Sequence, residues 1–166
     1  MLLNGTYIVN ILEENFIMKQ WSKEIEISAP IEDVWMLFNG SLEEMQKIMP
    51  QVVENKPKTI TDDKVGSIYL QKYQEGKRVM EYEVETLEYQ NTSNEKKMKA
   101  GFTLSNMFEI TAKYELVKLE DNKTFFKYTT TNKPLKWFIK PFLLFASDKV
   151  VVKFVQRVKD VAESKN

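Results

Sequence analysis

The feature that most constrains this chain is an apolar and aromatic run near its C-terminus, within residues 134–161. In its second half, valine and phenylalanine recur among charged residues at the spacing of one helix face, which predicts an amphipathic helix. The predicted buried stripe consists of Leu143, Ala146, Val150, Phe154 and Val161. Proline is tolerated in a first helical turn, so we place the helix start at Pro141. A long one-sided helix needs a large apolar surface to cover, and a curved sheet supplies one.

Before this helix, the pattern is that of a first strand followed by two short helices. Apolar and polar residues alternate over 21–27, which predicts a strand with one buried face. Pro30 then opens a helix, and Gly40 ends it in the expected left-handed conformation. Ser41 and Glu44 have the spacing of a capping box and predict a second short helix.

From residue 51 onward, turn signals separate six further strand-like segments, so the sheet has about seven strands in all. A two-residue turn at 75–76 pairs Tyr69 with Tyr82 and Gln71 with Met80 on one face. The opposite face is predicted to be solvated and carries Glu81, Glu83 and Glu85, with Lys97, Lys99 and Lys113 as partners.

The last hairpin predicts a second aromatic row. A three-residue loop at 120–122 places Tyr114 opposite Tyr128 and Leu116 opposite Phe126. The chain is therefore predicted to be an α+β protein, in which a curved antiparallel sheet, two short helices and a long C-terminal helix enclose a cavity.

Composition excludes several classes of function. Lys plus Arg equals Asp plus Glu at 24 each, so no net charge attracts nucleic acid, which we exclude as a partner. The chain has no Cys and no His, which removes thiolate nucleophiles, zinc–sulfur sites and the commonest general base. No cofactor and no metal site is predicted. A lysine-rich chain without Cys or an export signal favours a cytoplasmic location.

Residues 1–18 are treated as an N-terminal extension, and 19–166 as the domain. Polar residues interrupt the apolar ones in the extension, and it has neither a basic start nor a small-residue cleavage site, so a membrane span and a signal peptide both fit poorly. Met18 is an alternative start of the native protein.

The residues from Ile25 to Trp35 resemble the opening of the START-like superfamily, also called SRPBCC. This superfamily includes polyketide cyclases, lipid-transfer proteins and pollen-allergen-like proteins, in which a strand ending in Ala-Pro precedes an acidic turn and Val-Trp. The resemblance extends over about residues 21–161 through Met49-Pro50, Val65-Gly66, Tyr114 with Leu116, Thr124 and the terminal helix. It implies a helix-grip fold with a deep cavity between the concave sheet and the last helix, but no single function.

We expect the inward-facing residues to bind a small hydrophobic molecule such as a lipid, an isoprenoid or a polyketide-like compound. Methionine and tyrosine give an adaptable lining with a few hydroxyl groups, although each such residue alone is more typical of core packing, so the prediction rests on the set. The predicted ligand-binding residues are Phe38, Met45, Tyr69, Met80, Tyr82, Phe102, Tyr128, Phe142, Phe145, Ala146 and Val150.

An enzyme of the cyclase or dehydratase type is the alternative, with a Tyr or Glu moving a proton in the same cavity. Glu109 is the most arguable acid or base because it lies in an apolar strand, but a solvated glutamate paired with Lys99 or Lys113 is the more ordinary interpretation. We favour binding without catalysis and predict no catalytic residue.

A third interpretation concerns the aromatic cluster at 137–145, which is more apolar than one helix face can hide. Through Trp137 and Phe138 it is expected to make transient contact with a membrane or with a protein partner. The alternatives are a mobile lid over the mouth of the cavity and ordinary core that closes the open end of the sheet. The oligomeric state stays open.

Overall fold

In the described part of the chain, an eight-stranded antiparallel sheet forms most of the fold, and three helices pack against it. The computed structural model describes residues 7–13, 16–136 and 147–165, with side chains from residue 18 onward. The strands are β1 Tyr7–Glu13, β2 Phe16–Ile27, β3 Val52–Thr59, β4 Ile68–Glu75, β5 Arg78–Asn91, β6 Glu95–Leu104, β7 Phe108–Glu120 and β8 Lys123–Pro134. The helices are α1 Ile31–Asn39, α2 Leu42–Ile48 and α3 Lys149–Glu163.

The strand order β1-β2-β8-β7-β6-β5-β4-β3 confirms the predicted fold class, a curved antiparallel sheet with a C-terminal helix. The seven predicted strands are β2 to β8, and β1 is an eighth, contributed by the N-terminal extension. Strand β2 begins at Phe16 rather than near residue 21, because its first residues pair with β1. Since β2 crosses residue 18, the division of the chain there stays a prediction.

The core lies where α1 and α3 cover β2, β7 and β8. Ile27, Leu116 and Phe126 of the sheet are buried against Val155 and Val158 of α3. Burial of this one cluster orients the terminal helix and ties the first and last strands of the domain together.

The buried stripe of α3 differs by one residue from the predicted stripe. Val150 is 75% exposed, while Val151 is buried and begins a stripe that continues through Val155, Val158 and Ala162. Three consecutive valines at 150–152 fit either stripe, so the spacing from Leu143 and Ala146 predicts the wrong one. Those two residues and the predicted helix start at Pro141 lie outside the described residues.

The junction between α1 and α2 confirms the predicted cap but corrects the role of the glycine. The Glu44 N–H donates to Ser41 Oγ at 3.3 Å, as in the first half of a capping box. Gly40 is extended, with φ −88° and ψ −156°, rather than left-handed. Glycine is needed there because a Cβ would lie 2.3 Å from the carbonyl oxygen of Met36.

The β4–β5 hairpin has the predicted inward face but a different register. Its turn is centred on Gly76 and Lys77, so Tyr69 pairs with Val84 and Tyr73 with Met80. Gly76 takes φ +59° at the first central position, where a two-residue hairpin turn can require glycine. The predicted pairing is wrong by two residues, and because a shift of two preserves the face of every side chain, the tyrosines still point inward.

The β7–β8 hairpin confirms the predicted aromatic row. Tyr114 pairs with Tyr128 and Leu116 with Phe126. A bulge between Lys118 and Glu120 takes up the extra residue of the turn.

On the outer face of the sheet, the predicted ion pairs are replaced by others. Lys97, Lys99 and Lys113 all approach Glu88, at 3.6, 3.7 and 3.4 Å, rather than the glutamates at 81, 83 and 85. A bulge in β5 between Thr86 and Glu88 turns Glu88 outward and brings it beside the lysines.

Candidate ligand-binding site

A cavity of about 480 Å³ lies between the concave face of the sheet and the end of α1 with α2. A volume of this size is typical of pockets that hold one small molecule. The lining residues are Phe38, Asn39, Gly40, Met45, Met49, Val52, Asn55, Lys64, Tyr69, Gln71, Tyr73, Tyr82, Val84, Thr86, Tyr89, Met98, Ala100, Phe102, Ile110, Ala112, Tyr114 and Tyr128. None of them belongs to the described part of α3, so the described walls of the cavity are the sheet and the two short helices.

The structure brings six of the eleven predicted ligand-binding residues together around this cavity. They are Phe38, Met45, Tyr69, Tyr82, Phe102 and Tyr128. Met80 is half-buried beside the β4–β5 turn and is not among the lining residues, because the corrected register moves it toward the end of the hairpin. Val150 points to solvent, and Phe142, Phe145 and Ala146 lie outside the described residues. That the six residues bind a ligand stays a prediction.

Several lining residues were missed for identifiable reasons. Gln71 and Val84 share the face of Tyr69 and Tyr82, so the two-residue alternation could have found them. Tyr89 faces the cavity only because the bulge at Leu87 exchanges the inward and outward positions of β5. The polar residues Asn39, Asn55, Lys64 and Thr86 carry no apolar signal and were not predicted.

Aromatic rings dominate the lining, which includes six of the seven tyrosines in the chain. Tyr82 stacks on Phe102 with ring centroids 4.9 Å apart and planes 18° apart. Tyr114 stacks on Tyr128 at 5.4 Å and 16°, and Phe154 of α3 packs against Tyr128 at 4.7 Å. The Tyr114–Tyr128 pair therefore forms a wall between the terminal helix and the cavity.

The cavity lining donates hydrogen bonds and has little charge. Burial raises the pKa of Tyr82 to about 12, and burial likewise raises the pKa of Tyr114 and of Tyr128. These phenols therefore stay protonated near neutral pH and offer O–H donors. Among the described lining residues there is no carboxylate, and Lys64 is the one charged side chain.

The raised tyrosine pKa values predict alkaline destabilisation. The unfolded chain releases these protons near the ordinary pKa of 10.0 while the folded chain retains them, so this stability is complete below pH 10 and falls as the pH rises further. We expect the urea midpoint to fall above pH 10, and to fall less steeply in Tyr82→Phe. Lysine titration lowers the stability of both proteins equally, so the difference between their slopes reports the tyrosine alone. Equal slopes in the two proteins would contradict the expectation.

Glu109 is exposed and does not line the cavity. It lies opposite Thr103 on β6 and Lys133 on β8, so the solvated interpretation of this residue is confirmed. Its expected partners Lys99 and Lys113 instead approach Glu88.

Solved structures show the same fold at low sequence identity. Norcoclaurine synthase from Thalictrum flavum, in complex with dopamine and hydroxybenzaldehyde, superposes with a TM-score of 0.61 at 16% identity, covering 94% of this chain and 96% of that one. Major latex-like protein 151 from Panax ginseng gives 0.61 at 14% identity, covering 89% and 97%. The human StarD13 (DLC2) lipid transfer and protein localization domain gives 0.60 at 13%, covering 96% and 90%.

No protein-family model and no characterised protein sequence matches the chain significantly. The likeness to these structures thus lies in the architecture. The chain therefore has the helix-grip fold, the fold that the resemblance to the START-like superfamily implied.

Proposed function

We propose that this protein binds one small, largely apolar molecule in the cavity between its concave sheet and α1–α2. The observation that carries the proposal is the cavity itself, since the facing side chains leave about 480 Å³ unfilled. Protein interiors are otherwise close-packed, and a void of this size sacrifices contacts that a bound molecule would restore.

The likeness to solved structures supports the proposal without specifying the ligand. One similar structure contains dopamine and hydroxybenzaldehyde, and another is described as a lipid transfer domain. Here the aromatic lining favours a molecule with rings or an unsaturated skeleton, and the phenolic O–H groups favour one or two acceptor oxygens on it.

The expected affinity is modest. A ligand that buries about 300 Å² of apolar surface gains roughly 7 kcal/mol at about 25 cal/mol per Å², before the cost of ordering is subtracted. Dissociation constants in the micromolar to submillimolar range are therefore expected.

Filling the cavity from one side tests the proposal. Val84 lines the cavity, so Val84→Phe is expected to weaken binding of the uncharged fluorescent probe N-phenyl-1-naphthylamine by about tenfold, because the added ring occupies the space. Val79→Phe is the matched control, since the same substitution in the same strand adds a ring at a position that is 53% exposed.

Native mass spectrometry of the protein purified from its own host is the companion measurement. A retained small molecule is expected in the unmodified protein and in Val79→Phe, and is expected to be lost in Val84→Phe. Failure of the probe to bind, or equal binding by both variants, would overturn the proposal.

A cyclase or dehydratase has less support as an alternative. Such a reaction needs a group that accepts a proton, and the described lining offers protonated phenols, amides and one lysine. This alternative is supported by the shape of the cavity and by the sequence resemblance to polyketide cyclases.

The aromatic cluster at 137–145 lies outside the described residues, so contact of Trp137 and Phe138 with a membrane or a protein stays a prediction. Among the helices that the structure describes, none has the length and apolar character needed to cross a bilayer. We retain a cytoplasmic location as part of the proposal, on the strength of composition alone.

A further inference from the structure

The charge of the cavity lining is confined to one residue. Lys64 lines the cavity, and no carboxylate accompanies it among the described lining residues. Within the described part of the chain, most lysines lie within 4.0 Å of a carboxylate, as Lys72 does at 3.0 Å from Glu54, but no such ion pair involves Lys64. Asp62 and Asp63 precede it in sequence and do not line the cavity. The Lys64 ammonium group is therefore available to a ligand.

The loop around Lys64 is held in a defined conformation. Lys64 has φ +70°, a left-handed conformation that is uncommon for a residue with a Cβ. Its N–H donates to the Thr61 carbonyl at 3.3 Å, and the Ser67 N–H donates to the Lys64 carbonyl at 3.1 Å. Thr61 also donates through Oγ1 to the Val65 carbonyl at 2.8 Å, and its N–H donates to Ser67 Oγ at 3.0 Å. These bonds maintain a backbone conformation that costs free energy, and they fix where the lysine leaves the loop.

Hydrogen bonds place this loop at one end of the cavity. The Gly66 N–H donates to the Thr86 carbonyl and the Thr86 N–H to the Ser67 carbonyl, both at 2.8 Å. On β5, Tyr82 lies four residues before Thr86 and on the same face, about 13 Å along the strand. There its ring stacks on that of Phe102. The cavity thus has its one charged described lining residue, Lys64, beside Thr86 at one end, while the stacked rings of Tyr82 and Phe102 lie toward the other.

We propose that Lys64 makes this cavity selective for amphipathic ligands whose anionic group lies at the Lys64 end and whose apolar body reaches Tyr82 and Phe102. This inference rests on the proposed binding function and adds the charge class of the ligand to it. Lys64 is exposed, so an anionic group forms a solvent-accessible ion pair with it, whereas a cationic group would be repelled by its like charge with no carboxylate in the described lining to offset it. Carboxylate, sulfonate and phosphate groups share this chemistry.

Two probes with the same skeleton test the inference. N-phenyl-1-naphthylamine is uncharged, and 1-anilinonaphthalene-8-sulfonate carries one sulfonate on the same two ring systems. Lys64→Met is expected to weaken binding of the sulfonate about fivefold, the equivalent of a partly exposed ion pair, and to change binding of the uncharged probe less than about twofold. Added salt is expected to reduce the difference in the unmodified protein.

Three further variants separate charge from structure. Lys64→Gly removes the charge and suits the positive φ, so it is expected to reproduce the loss of sulfonate binding without lowering stability. Lys64→Arg is expected to retain sulfonate binding. Lys77→Met is the matched control, because Lys77 is exposed in the β4–β5 turn and does not line the cavity.

The outcomes distinguish this inference from the proposed function. If Lys64→Met and Lys64→Gly leave sulfonate binding unchanged, or weaken both probes equally, selection by Lys64 is overturned while binding in the cavity stands. If neither probe binds the unmodified protein, the proposed function fails and this inference fails with it. If Val84→Phe binds both probes as tightly as the unmodified protein does, the probes are not in the cavity. That result overturns both the proposed function and the inference about Lys64.

Discussion

Replacing Phe126 with alanine is expected to lower the free energy of unfolding by about 4 kcal/mol. Phe126 is 0% exposed on β8, opposite Leu116 of β7, and its ring centroid lies 5.5 Å from that of Phe38 on α1. Removal of the ring forfeits its burial and leaves a void between sheet and helices that rigid neighbours fill poorly. Urea unfolding followed by circular dichroism measures the change.

Phe125→Ala is the matched control for this prediction. Phe125 is the preceding residue on the same strand, points to the other face of the sheet and is half-buried. Truncation of Phe125 to alanine is expected to lower the free energy of unfolding by less than about half of the loss in Phe126→Ala, because water and mobile side chains replace the lost contacts. Equal losses at the two positions would show that the core is not centred where the structure places it.

Replacing Glu32 with alanine is expected to cost about 2 kcal/mol, more than a surface glutamate normally contributes. Glu32 Oε1 lies 2.8 Å from Lys96 Nζ, and the lysine side chain is only 3% exposed whereas that of the glutamate is 65% exposed. Lys96 also donates to Asn91 Oδ1, and its ammonium lies 5.9 Å from the centroid of the Trp35 ring. Without Glu32, the buried Lys96 ammonium keeps the amide and the ring but has no carboxylate partner among the described residues.

The two members of this pair are therefore expected to respond unequally. Lys96→Met leaves a glutamate that water can solvate and is expected to cost less than about 1 kcal/mol. The double variant with Glu32→Ala is expected to be more stable than Glu32→Ala alone, since it removes the unpaired cation. Asp33→Ala controls for the loss of an acidic residue in the first turn of α1.

Equal losses in Glu32→Ala and Asp33→Ala would contradict the account, because the helix dipole alone would then explain both. A double variant no more stable than Glu32→Ala would contradict it as well. Urea unfolding of the four variants at neutral pH supplies both comparisons.

The elements that the sequence predicts well are those in which local pattern and packing agree. Tyr114 and Tyr128 were placed opposite each other because alternation on both strands and a short turn leave little freedom in the register. The β4–β5 turn was harder, because Gly76 suits either central position of a two-residue turn. The structure places it first, which moves the register by two residues.

The candidate site was harder to predict than the fold, because its residues depend on interruptions of the pattern. Tyr89 faces the cavity only after the bulge at Leu87, and nothing in the spacing of β5 predicts an extra residue there. Val150 illustrates the same difficulty on a helix, since Val151 and Val152 fit an apolar stripe equally well. Lys64, in a loop, and Asn39, at the C-terminal end of α1, are polar, and only the fold brings them to the cavity.

The position of the core has a consequence for local opening of the fold around the cavity. The large buried cluster joins α1 and α3 to β2, β7 and β8, whereas β3 and β4 have Val52 as their one buried residue. Local opening free energies follow such differences in burial. We therefore expect β3 and β4 to separate from α2 at a lower free-energy cost than global unfolding, and on the proposed function this opening is the route by which a ligand is exchanged.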